Sequence, residues 1–211
     1  MHLHPRSRPP TLPTPAGPVP EPDGAATTPT GPGAPAGPVV LVGMMGSGKT
    51  TIGKKVAAAL GVPFIDTDAE IEKREGRSVA DIFARDGEPA FRRLEAAMLD
   101  DVVRRDEPKV VATGGGAVLA DTNRQLLHDR ALVIWLRADA GLLAHRVADD
   151  DSRPLLGDDP RAALERLIHE REPLYREVAH RIVEVDRADR KVMVARVLDA
   201  VGAGASAGVH P

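Results

Sequence analysis

From Val39 onward, short β-rich apolar runs alternate with stretches whose apolar positions recur at helical spacing. The runs Val39–Val42, Val62–Ile65, Lys109–Ala112, Leu132–Leu136 and Arg181–Val185 predict strands. Helical patterns fill Lys49–Leu60, Ala69–Glu75, Ser78–Arg85, Pro89–Arg104, Asp121–His128, Ala140–Ala148, Arg161–Ala179 and Ala188–Val201. Ser78 ahead of Asp81, and Asp121 at the head of its run, read as helix-capping signals. Strands alternating with helices imply right-handed βαβ units, hence an α/β domain with a parallel sheet covered by helices on both faces. Residues 39–201 suit one such domain.

Residues 1–38 carry no apolar periodicity. They hold 12 of the 19 prolines, with Gly, Ala and Thr making up much of the rest. Such a segment buries too little apolar surface to offset its ordering entropy, so it reads as a disordered or polyproline II-like tail. Its basic start is followed by no apolar run of the kind a secretory signal needs. Its PxxP spacings suit an SH3-like partner or no partner at all. Residues 202–211, GAGASAGVHP, read as a second flexible tail.

Composition narrows the function classes. The net charge is −3, which argues against a general polyanion binder. Phe64, Phe83, Phe91, Trp135 and Tyr175 are all the aromatic residues, too few for base stacking on single-stranded nucleic acid. There is no cysteine, so neither a disulfide framework nor a thiolate metal site is available. No two of the seven histidines stand four apart as a helical metal pair would. No apolar run approaches the roughly 18 residues of a membrane helix. A cytoplasmic location, without membrane or nucleic-acid partners, is the expectation.

Gly43-Met44-Met45-Gly46-Ser47-Gly48-Lys49-Thr50 fits G-x-x-x-x-G-K-[ST] at every defined position, between an apolar run and a helix. Glycines let successive backbone N–H groups turn toward one anion, and the helix N-terminus adds the positive end of its dipole. Lys49 supplies a charge for the outer phosphates, and the Thr50 hydroxyl suits Mg²⁺. Gly46, Ser47, Gly48, Lys49, Thr50 and Thr51 are therefore candidate ATP-binding residues. The motif specifies a nucleoside triphosphate with Mg²⁺ and leaves the acceptor open.

Three further clusters carry chemistry. Asp66-Thr67-Asp68 follows the second strand, and ligands of open α/β sheets sit beyond strand carboxyl ends. If the segment is extended, both aspartates face the same way, one toward a metal and the other toward an attacking hydroxyl. The pair could equally cap the next helix. Arg92 and Glu95 share a helix face, as a surface ion pair or as part of an anion site. Gly114-Gly115-Gly116 after the third strand is either a flexible turn or a backbone site for an anion.

Taken together, GMMGSGKTTIG, FIDTD, SVADIFARDGEPAFRRLE, TGGGAV, SRPLL and EREPLY resemble the shikimate kinase family in order and spacing, over roughly residues 39–201. The resemblance implies a five-stranded parallel sheet ordered 2-3-1-4-5, a mobile lid, and ATP-dependent phosphorylation of the 3-hydroxyl of shikimate by a monomer. By the family pattern Lys49, Asp68 and Arg153 would be catalytic, with Asp68 near the attacking oxygen and Arg153 on the transferring phosphate. Asp66 would reach Mg²⁺ through water, and Thr50 directly. Arg92 and Arg171 would bind the substrate carboxylate, with Glu95 orienting them, Gly115 offering a backbone N–H, and Phe83 and Phe91 walling the acceptor pocket. Arg146 and Pro154 would lie against adenine, and residues 149–159 would form the lid. One departure is that Val185–Val192 lacks the proline that the family usually carries in its adenine loop. The rivals are a gluconate kinase on the same fold, and a nucleotide-binding regulator without catalysis.

Overall fold

The strands β1 (Pro38–Val42), β2 (Phe64–Asp66), β3 (Lys109–Ala112), β4 (Leu132–Arg137) and β5 (Arg181–Glu184) pair in the order β2-β3-β1-β4-β5, all parallel. The computed structural model describes residues 35–147 and 159–205. The helices are α1 (Lys49–Leu60), α2 (Thr67–Glu75), α3 (Val79–Asp86), α4 (Glu88–Val103), α5 (Asp121–Arg130), α6 (Ala140–Val147), α7 (Pro160–Val178) and α8 (Arg190–Ala205). The expected tails are shorter than residues 1–38 and 202–211, because β1 starts at Pro38 and α8 runs on to Ala205; nearly all of what remains of both tails, and nearly all of the expected lid, falls at 1–34, 148–158 and 206–211, outside the described residues.

Side chains alternate across a strand, so β1 feeds two cores. Val40 and Val42 join Val111, Val133 and Trp135 against Met98, Leu99, Leu127, Leu164 and Tyr175 on one face. Val39 and Leu41 join Val110, Ile134 and Leu136 against Ile52, Val56 and Val197 on the other. Both faces of the inner strands are buried, which is why they read as continuous apolar runs rather than alternating ones.

The second strand departs from expectation, and the departure changes the site. Gly61 ends α1 at φ +68°, and Val62 and Pro63 form the link to β2, which starts at Phe64. The strand stops at Asp66, whose Oδ1 accepts from the backbone N–H groups of Asp68 (3.2 Å) and Ala69 (3.4 Å). Asp66 is thus the N-cap of α2, and Asp68 sits in the first helical turn. The two carboxylates are not on one extended segment. The capping role belongs to Asp66, leaving the Asp68 side chain to other work.

The far edge is locked by a histidine. His180 follows α7, and its N–H donates to the Val133 carbonyl at 2.9 Å. The Val133 N–H in turn donates to His180 Nδ1 at 3.1 Å. An Nδ1 that accepts must be unprotonated, and burial, aided by the nearby His128 and Arg181, keeps His180 below its ordinary pKa. This stabilisation is complete above the ordinary histidine pKa of about 6.5 and is lost as the pH falls below it. His180→Ala is expected to lower stability by about 1–2 kcal/mol at pH 8, by orphaning the Val133 N–H. Denaturant midpoints for wild type and variant should converge between pH 7 and 5.

Candidate active site

β1 ends at Val42, and the chain turns at once through the phosphate-binding loop into α1. Gly43 takes φ +142°, and a Cβ there would stand 2.6 Å from the Leu136 carbonyl of β4. Only glycine lets the loop leave β1 so close to its neighbour. Lys49, the first residue of α1, folds back over the loop, donating from Nζ to the carbonyls of Gly43 (2.8 Å) and Met44 (2.9 Å). Its ammonium is thereby held against the loop, and the residue as a whole is only 8% exposed. Arg146 of α6 donates to the carbonyls of Gly46 (3.2 Å) and Asp186 (3.3 Å), tying the loop to the segment after β5.

Thr50 Oγ1 donates to Asp66 Oδ2 at 2.7 Å, which joins the start of α1 to the end of β2. This hydroxyl–carboxylate pair is a hard-oxygen donor set beside a phosphate loop. It fits a magnesium ion, which takes one or two protein oxygens and completes its shell with phosphate and water. Around these groups lies a cleft of about 660 Å³, whose lining includes Lys49, Thr50, Thr51, Asp68, Gly115 and Arg190.

Asp68 stands where this cleft meets a second cluster. Its Oδ1 is shut off from solvent without a hydrogen-bond partner among the described residues, and so is Oε1 of the fully buried Glu95. A Cβ on Gly114 would lie 2.7 Å from Glu95 Oε1 and 2.8 Å from Asp68 Oδ1, so the two carboxylates meet over this glycine. Desolvation, then the charges of Glu95 and Asp66, raise the Asp68 pKa to about 6, against the opposing pull of Lys49 and Arg92. Burial also pushes Glu95 up, countered chiefly by Arg92. An aspartate poised near 6 is ionised at neutral pH yet basic enough to accept a proton from a hydroxyl.

Arg92 is braced from both sides. Nη1 donates to Glu95 Oε2 at 2.8 Å, while Nε and Nη2 donate to Glu88 Oε1 at 3.1 and 2.8 Å. Phe83 and Phe91 pair with ring centroids 4.8 Å apart, and the guanidinium lies over both rings, at 5.9 and 5.4 Å from their centroids. Any side chain on Gly116 would collide with that guanidinium. The triplet is therefore neither a slack turn nor a free nest. Gly114 and Gly116 are glycine because charged side chains pack against them.

Arg171 of α7 is only 5% exposed and donates from Nη1 to the Gly115 carbonyl at 3.1 Å; its buried Nε has no hydrogen-bond partner among the described residues. Tyr175 donates to the same carbonyl at 2.6 Å. The sequence neighbours of Arg171, Glu170 and Glu172, pair with Arg166 and Arg176 instead.

Most of the expected site residues thus converge at the carboxyl ends of β1, β2 and β3. Arg153 and Pro154 lie outside the described residues. Arg146 reaches loop backbone. The loop without proline is shaped by Asp186, which accepts from the Ala188 N–H and from Arg196, and Ala188 lines the cleft. Glu88 and Tyr175 were not singled out from sequence, although each stands four residues from an arginine that was, the spacing of neighbours on a helix face.

Comparison with known proteins names the arrangement. The family model described as shikimate kinase matches residues 45–202. The shikimate kinase of Burkholderia thailandensis is 49% identical over 161 residues, 76% of this chain and 87% of that protein. Among solved structures, shikimate kinase from Acinetobacter baumannii in complex with shikimate aligns with a TM-score of 0.77 at 36% identity, covering 82% of this chain and 96% of the other. Shikimate kinase from Aquifex aeolicus aligns at 0.70 and 30% identity, covering 81% and 99%. A phosphate loop, a raised aspartate and two arginines around a glycine triplet are here carried by a chain that belongs to the shikimate kinase family.

Proposed function

We propose that the protein transfers the γ-phosphoryl group of ATP to the 3-hydroxyl of shikimate, yielding shikimate 3-phosphate and ADP, a step of chorismate and aromatic amino-acid biosynthesis. The observation that carries this reading is the position of Asp68, between a phosphate-binding loop and a pair of arginines. Family membership supports it and disfavours gluconate as acceptor.

In this reading Gly46, Ser47, Gly48, Lys49, Thr50 and Thr51 receive the ATP phosphates. Thr50 directly, and Asp66 through water, would hold Mg²⁺; when bound, the ion supplies charge neutralisation on the phosphate oxygens. Arg92 and Arg171 take the acceptor carboxylate, because guanidinium forks match its planar geometry and an ammonium does not. Glu95 keeps Arg92 in place, and Phe83 and Phe91 seat it. With the carboxylate fixed, the acceptor hydroxyl faces Asp68. Asp68 takes its proton as the oxygen attacks the γ-phosphorus, and Lys49 stabilises the charge on the transferring group. From the resemblance, Arg153 would add charge to the same group, and Arg146 and Pro154 would border adenine.

The reading also assigns residues 1–37 and 206–211 as tails to a catalytic unit at 38–205, whose bounds follow the first strand and the last helix. It takes the enzyme to be a cytoplasmic monomer with ATP and shikimate as its partners and without nucleic-acid or membrane partners. Net charge and the scarcity of aromatics support the last point. No helix among the described residues is long and apolar enough to cross a membrane.

Asp68→Asn should abolish shikimate-dependent ADP release while leaving ATP binding within a few-fold of wild type. It should also stabilise the empty protein. A carboxyl whose pKa is raised by folding costs stability as the pH climbs through about 4 to 6, and the full cost stands above 6. The amide carries no charge and can donate toward Glu95. The variant is expected to melt a few degrees above wild type at pH 8, with the gap closing near pH 4. Near-normal turnover, or a lower melting temperature at pH 8, would remove Asp68 from this role.

Arg92→Lys loses the fork and its two-sided bracing. The KM for shikimate is expected to rise at least about tenfold, as loss of one charged hydrogen bond predicts, with the KM for ATP within about twofold. Steady-state kinetics with each substrate varied in turn provide the check.

A further inference from the structure

Arg171 and Tyr175 stand four residues apart on α7 and reach the same atom, the Gly115 carbonyl oxygen. The tyrosine bond is the shorter, 2.6 Å against 3.1 Å. The ring behind it has little freedom. Tyr175 is 1% exposed and stacks on Trp135, with centroids 5.6 Å apart and planes inclined by 21°. Its hydroxyl also approaches Met44 Sδ of the phosphate loop at 3.6 Å, but a thioether is a weak acceptor, so the bond to Gly115 dominates. Burial raises the phenol pKa, so the group remains a donor throughout the working pH range.

The atom so held is at the centre of the acceptor cluster. Gly115 lies between Gly114, over which Asp68 and Glu95 meet, and Gly116, against which the Arg92 guanidinium packs. Three consecutive glycines have no side chains of their own to fix their backbone. A rigid donor on the middle carbonyl supplies that constraint. It also shares the demand of that carbonyl for hydrogen, which would otherwise fall on Arg171 alone. Of the guanidinium nitrogens of Arg171, only Nη1 donates to that carbonyl, which leaves Nη2 for a ligand.

We propose that Tyr175 is a positioning residue for the acceptor: its hydroxyl fixes the Gly115 carbonyl, which holds the glycine triplet in register and anchors the Arg171 guanidinium, bonded to the same oxygen, for the substrate carboxylate. The proposal rests on shikimate being the acceptor. Tyr175 touches no reacting atom in this account and acts through Gly115 and Arg171.

Tyr175→Phe deletes the hydroxyl and keeps the ring stacked on Trp135. Kinetics of both enzymes with shikimate and ATP varied separately, together with melting temperatures, form the test. The expected result is a shikimate KM raised about five- to tenfold, the size of one hydrogen bond. The ATP KM should stay within about twofold and the melting temperature within a few degrees. An unchanged shikimate KM, or parallel rises in both KM values, overturns the positioning role while leaving the functional reading intact. A wild-type protein that shows no shikimate-dependent ADP release overturns the functional reading itself, and the positioning role with it.

Discussion

The site is organised around carboxylates taken out of water. Asp68 and Glu95 meet over Gly114, each with a buried oxygen that no donor among the described residues satisfies. Such an arrangement is costly unless positive charge stands close by. Arg92 is bonded to Glu95, and Lys49 and Arg92 both pull on the Asp68 charge. The balance is incomplete, which is why Asp68 stays raised. That residual imbalance is useful chemistry. A carboxylate that is fully paired accepts no proton, and one left alone in a buried site would not ionise at neutral pH.

Sheet topology delivers these groups to one place. With β3 between β2 and β1, the glycine triplet after β3 lies between Asp68 on one side and the phosphate loop on the other. The arginines come from helices on either side of the triplet in the chain, Arg92 from α4 before β3 and Arg171 from α7 after β4. Gly114 and Gly116 lack side chains because Asp68, Glu95 and Arg92 occupy that space. The phosphate loop obeys a similar rule at Gly43, where β4 leaves no room for a Cβ. Glycine at these positions is a packing requirement before it is a matter of flexibility.

Much of this was legible from residue order alone. The phosphate loop could be read because its spacing and its strand–helix context are both local. The strand order, by contrast, followed from the family resemblance rather than from any pattern in the runs. The aspartate pair reads from sequence either as an extended segment or as a helix cap, because a capping aspartate and a strand-end aspartate look the same until the helix start is known. Here Asp66 takes the backbone N–H groups and releases Asp68. The surroundings of Arg171 were equally hidden, since adjacent glutamates offered plausible partners, whereas its actual acceptor is a backbone carbonyl 56 residues away in the chain. Tyr175 escaped notice for the same reason: a lone aromatic on an apolar helix face reads as core, and it is core, with only its hydroxyl in the site.

The central claim is that Asp68, raised by burial and by Glu95, accepts the proton of the attacking hydroxyl. The direct measurement is the pH dependence of kcat/KM for shikimate at saturating ATP. It should rise with unit slope as the pH climbs to an inflection near 6, then level off. A profile flat from pH 5 to 8, or an inflection near 4 where an ordinary aspartate titrates, would contradict it.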